Sequence, residues 1–246
     1  MLQTGTAATD EVSRFTAIAD SWWDSTGAFA PLHKLNPPRL AFIRDHLCQH
    51  FRRDPSEPTP LRGLNIIDVG CGGGLLCEPM ARMGATVTGI DAGQENIDAA
   101  CAHARSMELE IDYRHVLPEE MSENAGNYDV VLNMEVVEHV QDLPLFLQSS
   151  SGLLKPGGAM ILSTLNRTLK SLALAKVAAE YILRWVPRGT HDWRKFVRPS
   201  ELADGLRPHN VDLTDLSGIA YLPTQNQWTL DRDLSVNYLA FAIKHR

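Results

Sequence analysis

The sequence predicts an α/β fold in which a mostly parallel sheet is flanked by helices. Residues 65–69 form a short apolar, β-branched run that is typical of a buried strand, and they lead directly into the glycine loop Gly70–Gly74 and a helix-compatible stretch. A second such run over residues 86–91 ends in Asp91, and strand and helix patterns then alternate along the chain. This alternation indicates parallel strands joined by right-handed helical crossovers.

The remaining elements continue the pattern. Seven strands are predicted, over residues 65–69, 86–91, 111–115, 128–133, 159–163, 211–222 and 238–244. The last two are expected to form an antiparallel pair that closes one edge of the sheet. Crossover helices are predicted over residues 75–83, 96–107 and 143–154.

The chain before the first strand is predicted to be helical in part. Residues 1–9 are small and polar and are expected to be disordered. Residues 10–60 are predicted as a helical cap and linker: an amphipathic helix over residues 10–23, a proline-broken segment, a helix over residues 39–51 and a proline-rich linker. Trp22 and Trp23 are interpreted as a packing anchor or as a lid over an apolar substrate. Residues 10–246 are predicted to form a single domain.

The bulk composition limits the classes of function. A formal net charge of −7 argues against general nucleic-acid binding. No apolar run approaches the ~20 residues of a transmembrane helix, and the first residues lack the charged and apolar regions of a signal peptide. A cytoplasmic protein is therefore expected. The four cysteines show no metal-ligand spacing and are interpreted as reduced thiols.

The spacing of the glycines bears on the ligand. The loop has the pattern G-x-G-x-G, whereas the dinucleotide fingerprint G-x-G-x-x-G would require a glycine where Leu75 stands. Asp91 at the tip of the second strand suits the hydroxyls of a ribose, which NAD and S-adenosylmethionine share. The glycine spacing favours S-adenosylmethionine, and a nicotinamide-dependent reductase remains an alternative.

Several stretches together resemble the class I S-adenosylmethionine-dependent methyltransferases, which have a Rossmann-like fold: DVGCGGG, GID, YDVV, MEVVEHV and LLKPGG. Others are similar to the O-methyltransferases of ubiquinone biosynthesis, from Phe15 to the end of the chain: LNPPRLAFIRDHL, STLNRTLKS, AEYILRWVPRGTHDWRKFVRPSEL and NYLAFA. The resemblance implies a seven-stranded sheet with N-terminal helices and a helical insert after the fifth strand. It also implies S-adenosylmethionine as methyl donor, with 2-polyprenyl-6-hydroxyphenol and 3-demethylubiquinol as acceptors.

The resemblance places the cofactor contacts on Arg39, Gly70, Asp91 and Met134, and Gly72 of the glycine loop is a further candidate. Arg39 would meet the carboxylate of the cofactor, and the two glycines would let the backbone approach it. Asp91 would take the ribose hydroxyls, and Met134 would pack near the adenine or its sugar. The stretch after the third strand shows no obvious partner for the adenine amino group, so that contact is left unassigned.

Glu135, Glu138 and His139 follow the fourth strand at the carboxyl edge of the sheet, where open α/β folds bind ligands. If this segment is helical, the i+3 and i+4 spacing places the three side chains on one face. They could then hold Mg²⁺ or another divalent cation against the acceptor oxygens, as the matching residues are interpreted in eukaryotic relatives. Alternatively, His139 with Glu138 serves the catalysis directly, as a general base, or the cluster is structural.

The insert after the fifth strand, residues 167–205, is predicted to be a basic amphipathic element. Residues 167–198 contain eight Lys and Arg and two acidic residues, a net +6 within a chain of −7. An apolar stripe beside such charges is typical of a helix on an anionic membrane surface, although it could also pack on the sheet. A polyprenyl substrate favours the membrane, with the protein peripheral on its inner face.

Further assignments remain open. The chain could methylate another phenolic or lipid substrate, or it could be a non-catalytic carrier of quinone lipids. Other enzymes of ubiquinone biosynthesis are candidate partners.

Overall fold

The computed structural model describes residues 5–173, 192–222 and 224–245, which are organised around an eight-stranded sheet. The strands are β1 Asn65–Val69, β2 Thr86–Asp91, β3 Asp112–His115, β4 Tyr128–Met134, β5 Leu154–Leu165, β6 Val211–Leu222, β7 Gln227–Asp231 and β8 Asn237–Lys244. Their order is β3-β2-β1-β4-β5-β8-β6-β7. Strands β1 to β5 are parallel, and β8 lies antiparallel between β5 and β6. The predicted α/β fold with a mostly parallel sheet is confirmed.

The sheet contains β7 in addition to the seven predicted strands. Among the described strands, β7 pairs with β6 alone and forms an edge of the sheet. Its sequence is mixed in polarity and none of its residues is buried, so it lacks the apolar run of an interior strand. The pairing with β6 in a hairpin therefore determines this strand, and a local pattern does not reveal it.

Helices cover both faces of the sheet. They are α1 Thr9–Thr16, α2 Ala30–His50, α3 Cys77–Arg82, α4 Gln94–Ser106, α5 Leu143–Leu153, the single turn α6 Leu169–Ser171 and α7 Pro199–Leu206. Phe42 of α2 and Met80 of α3 belong to one buried cluster, and Phe146 of α5 and Leu202 of α7 belong to another. Because β1 and β4 are covered on both faces, apolar residues stand next to each other in them, as Ile66 and Ile67 do, instead of alternating with polar ones.

Helix α2 continues through Pro37 and Pro38, where the sequence predicts a break. A proline inside a helix costs about 3 kcal/mol. The same helix buries Phe42, Ile43 and Leu47 almost completely, and each such side chain contributes about 1.5–3 kcal/mol. Packing against the sheet thus outweighs the local preference.

The N-terminal region corrects two further predictions. The helix predicted over residues 10–23 ends at Thr16, and a 3₁₀ turn, Ala19–Ser21, follows it. Residues 5–9 are not disordered: Thr6 is buried, and its backbone N–H and hydroxyl donate to the two carboxylate oxygens of Glu119 at 2.6 and 2.9 Å. This partner lies 113 positions away in the chain, so composition could not indicate it.

The structure describes the two ends of the predicted insert. Residues 174–191, which carry most of the predicted apolar stripe, lie outside the described residues. Trp193 Nε1 donates to the carbonyl oxygen of Thr168 at 2.9 Å, which joins the two described ends. Within the described ranges, no helix is both long enough and apolar enough to cross a lipid bilayer.

Candidate active site

The glycine loop between β1 and α3 adopts a backbone that its glycines allow. Gly70, Gly72 and Gly74 have φ values of 75°, 53° and 86°, in the left-handed region that favours glycine. Their missing Cβ atoms also make room for side chains: a Cβ on Gly72 would lie 2.4 Å from the ring of Trp22, and one on Gly70 would lie 2.5 Å from Val136. Gly70 and Gly72, the predicted cofactor contacts, both line a large cavity beside the loop.

Asp91, the last residue of β2, lines the same cavity and accepts three hydrogen bonds. Its Oδ2 accepts from the N–H of Gly72 at 2.9 Å, and its Oδ1 accepts from the N–H of Gly93 at 2.8 Å and from Asn96 Nδ2 at 3.0 Å. Burial raises the pKa of Asp91, and these hydrogen bonds oppose that rise. A carboxylate offers about four acceptor positions, so about one remains for a ribose hydroxyl.

Arg39 extends from α2 towards the carboxyl end of β4. It is 3% exposed and lines the cavity, and its Nη2 lies 2.8 Å from Glu135 Oε1. Ser163 Oγ donates to the same carboxylate oxygen at 2.6 Å. Within the part of the chain that the structure describes, Arg39 Nε has no hydrogen-bond acceptor, which is unfavourable for a buried charged group. A ligand carboxylate in the cavity would supply an acceptor, and the methionine part of S-adenosylmethionine carries such a carboxylate.

The cavity has a volume of ≈ 690 Å³ and mostly apolar walls. Met134, the last residue of β4, is 7% exposed and lines it. From Asp91 and Met134 the lining continues to His139 and to the β6–β7 hairpin, which contributes Tyr221 and Trp228. This volume lies within the range of about 300–1,000 Å³ that is usual for ligand and cofactor pockets.

The segment after β4 is a bend followed by one turn, rather than the helix on which the predicted cluster depends. Glu135 has a φ of 59°, and residues 137–139 form the turn. A left-handed residue other than glycine costs about 1–3 kcal/mol. The ion pair with Arg39 and the hydrogen bond from Ser163 offset this strain. The helical i+3 and i+4 spacing therefore does not apply, and Glu135 faces Arg39 instead.

Glu138 is directed towards β5 instead of into the cavity. It is 3% exposed, Thr164 Oγ1 donates to its Oε2 at 2.9 Å, and it does not belong to the residues that line the cavity. Burial, together with the negative charge of Glu135, raises the pKa of Glu138. The predicted catalytic role of Glu138 is therefore not supported by a contact with the cavity.

The predicted metal set does not fit a cation in this arrangement. Among the described residues, no group of three or more His, Cys, Asp and Glu side chains is placed to hold a metal ion. Glu135 is engaged by Arg39, Glu138 by Thr164 and His139 by Glu11. No step of the chemistry is therefore assigned to a metal.

His139 lines the cavity, as predicted for a group that meets the acceptor. Its Nδ1 lies 3.1 Å from Oε2 of Glu11 on α1, and Phe15 meets its ring edge-on with the centroids 5.4 Å apart. Burial lowers the pKa of His139, but the hydrogen bond to Glu11 and the charges of Glu138 and Glu11 raise it, and the net shift is upward. When a carboxylate binds Nδ1–H, Nε2 is the nitrogen that accepts a proton.

Parts of the cavity wall were not indicated by the sequence. Glu11 reaches His139 across 128 positions of the chain, and no local pattern marks such a contact. Asn96 binds Asp91 from the first turn of α4, five positions further along the chain. An asparagine five positions after the acidic residue that ends the second strand is a sequence signal that could have indicated this contact.

The sheet order, the glycine loop and the acidic tip of β2 define a class I S-adenosylmethionine-dependent methyltransferase. Solved structures agree in fold. Magnesium protoporphyrin IX methyltransferase (ChlM) from Synechocystis PCC 6803, with bound S-adenosylhomocysteine, has a TM-score of 0.64 at 16% identity over 96% of this chain and 94% of that one. The 1,6-didemethyltoxoflavin-N1-methyltransferase of Burkholderia thailandensis has a TM-score of 0.61 at 16% identity over 100% and 94%.

Sequence relatives identify the family. A family model described as a methyltransferase domain matches residues 39–216. The ubiquinone biosynthesis O-methyltransferase of Sinorhizobium fredii is 53% identical over 94% of each chain, and that of Brucella ovis is 51% identical over the same shares. The chain belongs to the family of ubiquinone biosynthesis O-methyltransferases, and S-adenosylmethionine is its methyl donor.

Replacing Arg39 with alanine is expected to weaken the binding of S-adenosylhomocysteine by about ten- to a hundredfold, because hydrogen bonds to charged groups contribute about 1.5–3 kcal/mol. The affinity for 5′-methylthioadenosine, which lacks the amino-acid part, should change little. Titration calorimetry with both ligands measures the difference. Equal weakening of the two ligands would contradict the assignment. The control is Arg44→Ala on the same helix, because the side chain of Arg44 is 41% exposed and pairs with Asp45.

Proposed function

We propose that this protein transfers a methyl group from S-adenosylmethionine to a phenolic hydroxyl of a polyprenylated dihydroxybenzene-type ring. The acceptors are 2-polyprenyl-6-hydroxyphenol and 3-demethylubiquinol, in ubiquinone biosynthesis. The observation that carries the proposal is one continuous cavity in which the cofactor residues Arg39 and Asp91 lie together with His139. The family of the chain supports the same activity.

The cofactor end of the cavity uses three kinds of contact. Asp91 accepts from the ribose, Arg39 pairs with the carboxylate, and the backbone at Gly70 and Gly72 allows close approach. Bound there, S-adenosylmethionine supplies an electrophilic methyl group on a sulfonium sulfur. Since the transfer is an in-line displacement, the main task of these residues is to fix the position and direction of the two reactants.

The acceptor end must favour the ionised form of a weak acid. A phenol with a pKa of ~10 is about one part in a thousand ionised at pH 7, which is roughly 4 kcal/mol from the reactive phenolate. His139 lies at this end and takes the hydroxyl proton on Nε2, while Glu11 holds Nδ1. The upward shift of the His139 pKa helps the ring to keep that proton.

Apolar parts of the cavity wall suit an apolar acceptor. Ile219 and Tyr221 of β6 and Trp228 of β7 line the cavity, together with Leu165 at the end of β5. Such side chains accommodate an aromatic ring and the start of an apolar tail, because burying their surface and that of the ligand is favourable.

The direct test incubates the purified protein with S-adenosylmethionine and each acceptor and detects the product by mass spectrometry. A mass gain of one methyl group on the ring hydroxyl is expected. Calorimetry should show binding of S-adenosylhomocysteine and none of NADH, because the loop lacks the third fingerprint glycine. Acceptor binding without a methylated product would favour the carrier hypothesis instead.

Replacing His139 with alanine is expected to lower kcat by about 10²–10⁴-fold, the usual contribution of a general base. The affinity for S-adenosylhomocysteine should stay within about threefold, because His139 binds the acceptor end. Stopped assays and calorimetry measure the two quantities. His46→Ala is the control, since His46 pairs with Asp215 at the surface. An equal loss of kcat and of affinity for S-adenosylhomocysteine would refute the role of His139 as general base. If a chelator abolished turnover, the hypothesis that a divalent cation takes part in the reaction would be supported instead.

We also propose that the insert, residues 167–205, docks on an anionic membrane surface, where a polyprenyl substrate resides. Its net charge of +6 over residues 167–198 supports this proposal, as does Leu169, which is 79% exposed. Each basic residue near an anionic leaflet contributes about 1 kcal/mol. Sedimentation should recover the protein with phosphatidylglycerol vesicles and not with phosphatidylcholine vesicles. Lys176→Glu with Arg184→Glu should weaken the recovery, and no binding of the unmodified chain to anionic vesicles would contradict the proposal.

A further inference from the structure

A chain of hydrogen bonds joins the N-terminal segment to the carboxylate of Asp91. Trp22 Nε1 donates to Asn96 Oδ1 at 2.9 Å, and Asn96 Nδ2 donates to Asp91 Oδ1 at 3.0 Å. Trp22 is 7% exposed and Asn96 is 3% exposed. All three side chains line the cofactor end of the cavity.

The indole determines which way the amide of Asn96 is oriented. A tryptophan N–H is a donor only, whereas an asparagine side chain has one acceptor end and one donor end. With its oxygen bound by Trp22, Asn96 presents its NH₂ group to Asp91. Without the indole N–H, the amide loses the partner that holds this orientation.

The same tryptophan also contacts the glycine loop that binds the second oxygen of Asp91. The ring of Trp22 lies so close to Gly72 and Gly73 that a Cβ on either would be 2.4 Å from it. The N–H of Gly72 in turn donates to Asp91 Oδ2 at 2.9 Å. Trp22 itself is stacked on Phe29, with centroids 3.7 Å apart. Both oxygens of Asp91 are therefore positioned by groups that Trp22 touches.

We propose that Trp22 and Asn96 are positioning residues for the cofactor: they orient the Asp91 carboxylate so that its remaining acceptor position meets one ribose hydroxyl. The inference rests on the assignment of Asp91 to the ribose. It interprets Trp22 as part of the cofactor site, whereas the sequence suggested an anchor or a lid over the acceptor. It also explains why the buried amide of Asn96 stands next to the half-buried carboxylate of Asp91.

The test compares S-adenosylhomocysteine with its 2′-deoxy and 3′-deoxy analogues by titration calorimetry. The unmodified protein should bind one of the two analogues about tenfold or more weakly, since a hydrogen bond to a carboxylate is lost. Trp22→Phe and Asn96→Ala should each weaken S-adenosylhomocysteine by about fivefold or more and leave that analogue nearly unchanged. The discrimination between ligand and analogue should therefore fall in both variants.

Trp193→Phe is the matched control. Trp193 also donates its indole N–H, to the carbonyl oxygen of Thr168, but it does not line the cavity. This variant should keep both the affinity and the discrimination. Thermal unfolding of each variant establishes that it is folded, and Asn96→Ala carries the test if Trp22→Phe does not fold.

Two outcomes overturn the inference. If both variants lose affinity equally for the ligand and its analogues, Trp22 and Asn96 support the fold and do not orient Asp91. If the unmodified protein binds S-adenosylhomocysteine and both analogues equally, Asp91 makes no hydrogen bond to a ribose hydroxyl that contributes to affinity. Failure of the unmodified protein to bind S-adenosylhomocysteine at all would instead contradict the cofactor assignment itself.

Discussion

The carboxylate of Asp91 needs hydrogen-bond donors, and the cavity around it is built from the parts of the chain that supply them. Gly72 donates from the glycine loop, and Gly93 and Asn96 donate from the start of α4. A buried charge without such partners is strongly unfavourable. The loop, the tip of β2 and the first turn of α4 therefore have to be placed together. Trp22 adds the N-terminal segment to the same arrangement.

An ion pair with a buried arginine organises the segment after β4. Glu135 sits in the left-handed region, where its carboxylate meets Arg39 from α2 and Ser163 from β5. The reversal of the chain at this residue separates the functions of the three residues that the sequence grouped. Glu135 holds Arg39, Glu138 packs against β5, and His139 lines the cavity beside α1.

Local patterns were sufficient for the centre of the fold. The strands β1, β2, β4 and β5 contain apolar, β-branched runs, and the crossover helices have helical periodicity, so each could be predicted from its own residues. The predictions from sequence were wrong where contacts with residues far along the chain determine the local structure. Thr6 is ordered by Glu119, and α2 passes through Pro37 because its later turns are buried on the sheet. Strand β7 exists because β6 pairs with it.

The same distinction between local patterns and distant partners applies to the candidate site. The sequence by itself determined the glycine loop and the acidic tip at Asp91 and favoured S-adenosylmethionine over a dinucleotide, because these depend on backbone freedom and spacing within a short stretch. The tertiary structure alone decided that His139 lines the cavity whereas Glu138 does not, and that Glu11, Asn96 and Trp22 line it too. The reason is physical: the orientation of a buried polar side chain is determined by partners that the fold brings from elsewhere in the chain.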